Sequence, residues 1–209
     1  MSTAWVWLLA SYLLGAIPTS YLVGRLFKGI DLREHGSRNL GATNLYRTLG
    51  WRYAIPVGLF DVAKGAVPVL AFGPRGPEVP YFPIWCGLLA VLGHVYSVFV
   101  RFKGGKGVAT AAGMVIGLAP LAFPVVLIAW GLIVWLTGYV SVGSIAAAVL
   151  FPVADYLLHP ARRGPVTLVI DLALAGFIIW KHRANIQRLL AGTENRFGTR
   201  GRKTQAPPA

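Results

Sequence analysis

The feature that most constrains this chain is a series of apolar stretches, each close to the length of a bilayer crossing. A hydrocarbon core of about 30 Å takes about 20 helical residues. Runs that reach or approach that length lie at Ala4–Phe27, Arg52–Phe72, Tyr81–Val100, Val140–Leu158 and Pro165–Trp180. A further region, Val108–Tyr139, is apolar throughout but would extend about 48 Å as a single helix, too far for one crossing. Gly117-Leu118-Ala119-Pro120, followed by Pro124, supplies a place to end one helix and start another. The pattern therefore predicts a short helix over 108–117, which spans the bilayer or re-enters it, and a full one over about 120–137. The expected fold is an all-α polytopic integral membrane protein with seven membrane helices, one of them short or re-entrant.

The charges support this count. Charged residues make up 13% of the 209 positions against 56% hydrophobic ones, yet the formal net charge is +13. A soluble domain carries about 25% charged residues, so a water-facing globule is excluded. With the N-terminus outside, segments 28–52, 101–107 and 181–209 lie in the cytoplasm and hold five, three and seven Lys/Arg, whereas the outside segments hold only Arg75, Arg162 and Arg163. That asymmetry satisfies the positive-inside tendency and puts the C-terminus in the cytoplasm. A single crossing of 108–139 would move the basic C-terminal tail away from the other two basic segments. The first apolar run lacks a basic leader and exceeds a signal h-region, so it reads as a retained span.

No internal repeat is visible. Residues 1–198 read as one transmembrane domain, and 199–209 as a disordered basic tail that is solvated or touches anionic lipid. The single cysteine, Cys86, excludes an intramolecular disulfide and a Cys-based zinc cluster, and reads as a small buried hydrophobe. No carboxylate or histidine set has metal-ligand spacing, so neither metal nor cofactor is expected.

Polar residues concentrate in the three basic segments. Gly36-Ser37-Arg38-Asn39-Leu40-Gly41-Ala42-Thr43-Asn44-Leu45-Tyr46-Arg47 is dense in glycine and small hydrogen-bonding side chains, suited either to an anion or to a capped loop. Helical spacing over its second half puts Thr43 and Arg47 on one face. Phe102-Lys103-Gly104-Gly105-Lys106-Gly107-Val108 leads into an apolar helix and reads as a phosphate cradle or a turn; Gly107 after Lys106 rules out a Walker A loop. His182 and Asn185 share a face of a basic amphipathic helix that Gly192 would end, and that helix could simply lie on the membrane surface. Within the spans, Asp61 and Lys64 are spaced to pair, while Asp155 and Asp171 have no sequence-local partner. His94, inside the third apolar run, reads as a packing residue.

Together, GSRNLGATNLYRTLG at 36–50, GHVYSVFVRFKGGKGVAT at 93–110 and KHRANIQRLLAGTENRFG at 181–198, with DVAKG at 61–65, resemble the signature blocks of the bacterial acyl-phosphate-dependent glycerol-3-phosphate acyltransferases, the PlsY family. Arg38 stands where that pattern often has Gly, and Ser97 where it often has Pro. The resemblance implies acyl transfer from acyl phosphate to the 1-hydroxyl of sn-glycerol 3-phosphate, giving lysophosphatidic acid and phosphate at the cytoplasmic face of the bacterial inner membrane. It implies catalytic roles for His182, Asn185 and Ser37. Phosphate and substrate binding would fall to Arg47, Lys106, Gly104, Gly105, Gly107, Asn39, Thr43 and Asn44, with Glu194 structural.

His182 has the intrinsic pKa for a base near neutrality, although the substrate phosphate could accept the proton instead. Acyl phosphate is already activated, so direct attack by the hydroxyl suffices without an acyl-enzyme. The implied partners are the two substrates and membrane lipids, with room for a soluble enzyme that makes acyl phosphate; no nucleic acid is expected. The competing class is a transporter for a phosphorylated solute. It fits the broken 117–120 region, but it does not explain why the polar blocks gather on one side. No histidine has Asp five positions on, which disfavours the soluble-headgroup type of acyltransferase.

Overall fold

The computed structural model describes residues 2–198, and the regular structure among them is entirely helical. The expected tail 199–209 lies outside the described residues. The chain packs as two compact units, Met1–Pro120 and Leu121–Ala209.

In the first unit the run expected as one span, Ala4–Phe27, is two helices, α1 (Ser2–Ala16) and α2 (Thr19–Lys28), bent by 42°. Pro18 is the physical reason: it lacks an N–H and its ring crowds the preceding turn, so the helical ladder stops at Ile17. Helix α2 ends at Gly29 in the left-handed region, with the Gly29 and Ile30 amides turned back to Arg25 and Gly24. A loop leads to the short α3 (Ala42–Leu49) and then to α4 (Trp51–Val67). A π-helical turn over Pro68–Phe72 and a 3-10 turn over Gly73–Arg75 prolong α4 into a 25-residue apolar rod.

Helix α5 (Phe82–Val95) follows, then a 3-10 turn at Val98–Val100 and α6 (Val108–Leu118). Helix α1 packs on α5 and α4 on α6. At these crossings a Cβ on Gly93 would overlap the Tyr12 backbone, and one on Gly65 the Thr110 carbonyl, so small residues let the helices approach closely. Ser97 has φ −66°, which proline also adopts, and its hydroxyl donates to the Ala16 carbonyl, a bond proline could not make.

The second unit contains α7 (Ala122–Thr137), α8 (Val140–Leu158), α9 (Pro165–Lys181) and α10 (Arg183–Leu190). The chain breaks at 119–121, where Gly117 to Pro120 predict it. Gly138, at φ 77°, closes α7 and turns into α8. Helices α9 and α10 are bent by 54° at His182. Segment 193–198 returns to the α7–α8 turn, where the Phe197 amide donates to Gly138 O and Arg196 Nε to the Tyr139 hydroxyl.

Asp155 and Asp171 find their partner in the α8–α9 turn. Arg162 Nε lies 3.0 Å from both Asp155 oxygens and its Nη2 3.6 Å from Asp171 Oδ1.

Among the described residues, three helices are long and apolar enough to cross a membrane, Trp51–Arg75, Phe82–Val100 and Val140–Leu158, and counting each bent pair as one span gives up to five. Helices α6 and α7 are apolar but shorter, at 11 and 16 residues. Large apolar side chains point outward in both units: Trp5, Leu9 and Leu59 in the first, Ile128, Trp135 and Val169 in the second. Apolar surface on this scale is suited to lipid rather than water.

Candidate active site

In the first unit the loop between α2 and α3 is built around two polar anchors over a small apolar plug. Leu32, Leu40, Leu45, Val57 and Val100 form that plug and are buried. Asp31 accepts from the Arg33 guanidinium at 2.6 Å and from Arg25 at 3.0 Å, and its oxygen also receives the Arg33 amide. The hydrogen-bonded Arg33 guanidinium holds the Asp31 carboxyl well below the ordinary carboxylate range, against the opposing effect of burial.

Asn44 is the second anchor. Its Nδ2 donates to Leu32 O at 3.2 Å and His35 O at 3.0 Å, and its Oδ1 accepts the Ser37 amide at 2.8 Å. Both amide donors of Asn44 are thus engaged inside the chain. The sequence places Asn44 in the phosphate-binding set; the structure makes it a buried fastener of the loop instead, because a phosphate oxygen would need a donor that Asn44 no longer has.

This fastener shapes the loop that presents Ser37 and Asn39. Gly36 has φ 58° and lies against Asn44 Oδ1, where a Cβ would overlap. Arg38 follows with φ 59°, a left-handed position where glycine is the unstrained choice, which accounts for the Gly that the family pattern often has there; nothing in the structure explains the Arg. Ser37, Asn39, Thr43 and Arg47 are all half-buried, with Thr43 and Arg47 one turn apart on α3.

The glycine-rich segment differs from its expected form. The Gly104 amide donates to Val95 O and the Gly105 amide to His94 O, both at 3.1 Å. Those two N–H groups close the segment onto the end of α5, so they are unavailable as the phosphate donors that the sequence suggests. Their lack of side chains serves the same closure: a Cβ on Gly104 would overlap His94 O, and one on Gly105 would overlap the His94 ring and Leu40 O. Gly107, at φ 82°, is the N-cap of α6, and Lys106 precedes it, half-buried.

Beneath this segment a small cleft is lined by Thr19, Asp61, Lys64, His94, Gly104 and Gly105, among others. The pairing that the spacing of Asp61 and Lys64 predicts is present at 2.8 Å, with both side chains buried.

In the second unit His182 stands at the α9–α10 break and is 2% exposed. Its Nδ1 lies 2.8 Å from Ile178 O. A carbonyl can only accept, so Nδ1 carries the proton, and in the neutral form of the ring the lone pair sits on Nε2. Asn185 donates from Nδ2 to Glu194 Oε1 at 2.6 Å. Glu194 also accepts from Ser141 Oγ at 2.9 Å and Arg188 Nε at 2.7 Å, which ties α10 to α8. Ser141 carries no sequence signal; it emerges only because segment 193–198 folds back on the α7–α8 turn. Among the described residues no group of three His, Cys, Asp or Glu side chains could hold a metal ion.

Long apolar helices with outward-facing apolar side chains define the class as an integral membrane protein. The chain belongs to the glycerol-3-phosphate acyltransferase family, the PlsY type: the family model of that description matches residues 5–192. A bacterial glycerol-3-phosphate acyltransferase of Chlorobaculum parvum is 46% identical, covering 91% of this chain and 95% of its own. One of Trichlorobacter lovleyi is 45% identical, covering 94% and 99%. The crystal structure of PlsY (YgiH), an integral membrane glycerol 3-phosphate acyltransferase, in its glycerol 3-phosphate form superposes with a TM-score of 0.85 at 39% identity, covering 97% of this chain and 99% of that one. The lysophosphatidic acid form gives 0.82 at 38% identity. The chain is therefore a multi-pass membrane acyltransferase of the bacterial phospholipid-forming type.

Proposed function

We propose that this enzyme transfers the acyl group of an acyl phosphate to the 1-hydroxyl of sn-glycerol 3-phosphate, releasing inorganic phosphate and lysophosphatidic acid. The observation that carries the reading is the contact of His182 Nδ1 with Ile178 O at 2.8 Å, which fixes the ring and leaves Nε2 as the nitrogen that accepts a proton when the ring is neutral. Relatives crystallised with glycerol 3-phosphate and with lysophosphatidic acid support the acceptor and product.

In this mechanism Arg47 and Lys106 neutralise the substrate phosphates, Arg47 as a bidentate fork and Lys106 as a point charge. Ser37, Asn39, Thr43 and Gly107 complete the polar lining. The glycerol hydroxyl attacks the acyl carbon as its proton passes to His182 Nε2, or to the substrate phosphate. The bond from acyl carbon to phosphate oxygen then breaks, and phosphate leaves with that electron pair. Asn185, held by Glu194, supports the developing oxyanion or orients the acceptor. No acyl-enzyme is needed, since the mixed anhydride is already activated.

The reading takes residues 1–198 as a single transmembrane domain. Seven membrane helices, with the N-terminus outside and the polar segments facing the cytoplasm of the inner membrane, follow from the basic-residue asymmetry. Such a site suits donor delivery by a soluble enzyme that makes acyl phosphate.

The test is purified protein in detergent with glycerol 3-phosphate and either acyl phosphate or an acyl thioester. Lysophosphatidic acid from acyl phosphate alone supports the donor assignment; product only from the thioester refutes it. The side-chain-base version fails if His182→Ala keeps near-normal turnover with unchanged acceptor affinity.

A further inference from the structure

Lys64 is among the largest fully buried side chains and carries a charge. Three features surround it. Its ammonium lies 2.8 Å from Asp61 Oδ1 and donates at 2.9 Å to Ile17 O, the carbonyl at the α1–α2 break. Thr19, the first residue after that break, donates its hydroxyl to the same Asp61 oxygen at 3.3 Å. On the other side, His94 Nδ1 faces Asp61 Oδ1 at 3.8 Å, without a hydrogen-bond partner of its own. Burying two charges is costly unless further hydrogen bonds satisfy them, and Ile17 O and the Thr19 hydroxyl supply such bonds here.

His94 is also the residue on which the glycine segment rests. Its carbonyl receives the Gly105 amide, and its ring lies so close to Gly105 that no Cβ would fit between them. Leu40 O, from the segment after the Ser37–Asn39 loop, crowds the same face of Gly105. Gly105 thus packs against both His94 and the first polar loop, one residue before Lys106.

The geometry points to His94, set in place by the Asp61–Lys64 ion pair, as a positioning residue that fixes the Gly104–Lys106 segment and thereby the enzyme's grip on substrate phosphate. This inference rests on the phosphate-binding role of Lys106 proposed above. The ion pair ties the α1–α2 break to α4, and His94 transmits that rigidity to the segment bearing Lys106. In this role His94 acts through the segment and not on the reacting atoms.

The test uses a spin label on Lys103→Cys, an exposed position in the same segment; the native Cys86 is buried and unreactive by comparison. His94→Phe keeps a flat ring but removes Nδ1. It is expected to raise label mobility and to increase KM for glycerol 3-phosphate about tenfold, with a smaller effect on kcat. His94→Asn, which returns a polar group facing Asp61, should recover part of both. Wild-type mobility and KM in folded His94→Phe would overturn the proposal. Should that variant not fold, Gly105→Ala displaces the ring from the other side and should produce the same paired change; an unaltered label and KM there would equally overturn it. If Lys106→Ala leaves KM unchanged, the phosphate reading fails, while the label response still decides whether His94 holds the segment.

Discussion

Asn185 donates its amide to Glu194 at 2.6 Å, and that carboxylate also receives Ser141 and Arg188. Glu194→Ala would strand the Ser141 and Asn185 donors in buried surroundings, at a cost of about 1–3 kcal/mol each at most. The half-exposed Arg188 contact adds little. Glu194→Gln keeps an accepting oxygen and should lose less. Thermal unfolding of the two variants in detergent checks the order, and turnover should fall in step with it because Asn185 loses its orientation.

Asn44 performs the corresponding task in the first unit. Asn44→Ala should release the loop at 32–37 and cost about 1–3 kcal/mol. Asn44→Asp should do no better, since its second oxygen would face the Leu32 and His35 carbonyls. Limited trypsin digestion reads this out as faster cleavage after Arg33 and Arg38. An unchanged cleavage rate would show that the apolar plug holds the loop without Asn44.

Asp31 supplies a pH dependence outside the membrane helices. Its folded pKa is depressed by Arg33, so its contribution to stability is complete above the ordinary carboxylate value of about 3.9 and is withdrawn as pH falls toward the folded value. The midpoint gap between wild type and Asp31→Asn should be wide at about pH 6 and narrow toward about pH 3. A gap independent of pH would contradict the assignment.

The all-helical membrane architecture is legible in the sequence because apolar runs near the length of a crossing announce it. The break near Pro120 is readable for the same reason: Gly and Pro interrupt an overlong run. Pro18 interrupts its run as well, yet Ala4–Phe27 had a length suited to one crossing, so nothing demanded a break there. At the site, residue type indicates which segments carry polar chemistry, but it does not show where each hydrogen bond goes. Gly104 and Gly105 read as anion donors, and their amides in fact close the segment onto α5. Asn44 reads as a ligand and is a fastener. Ser141 and Arg162 acquire their partners through chain reversal, which leaves no local trace.

The two cations assigned to phosphate should respond differently to substitution. Arg47→Lys removes a planar fork and should raise KM for glycerol 3-phosphate about tenfold, whereas Lys106→Arg preserves the charge and should cost less. Steady-state kinetics on both settles the comparison. Equal, small effects would mean that neither side chain makes an oriented phosphate contact.

The most direct measurement is a single-turnover experiment with acyl phosphate in slight excess over purified enzyme, following inorganic phosphate and lysophosphatidic acid with and without glycerol 3-phosphate. Direct transfer predicts one phosphate per lysophosphatidic acid formed and no phosphate release without acceptor. A burst of phosphate matching the enzyme concentration without acceptor would reveal an acyl-enzyme. No acceptor-dependent release at all, with glycerol 3-phosphate instead accumulating inside reconstituted vesicles, would contradict the account outright.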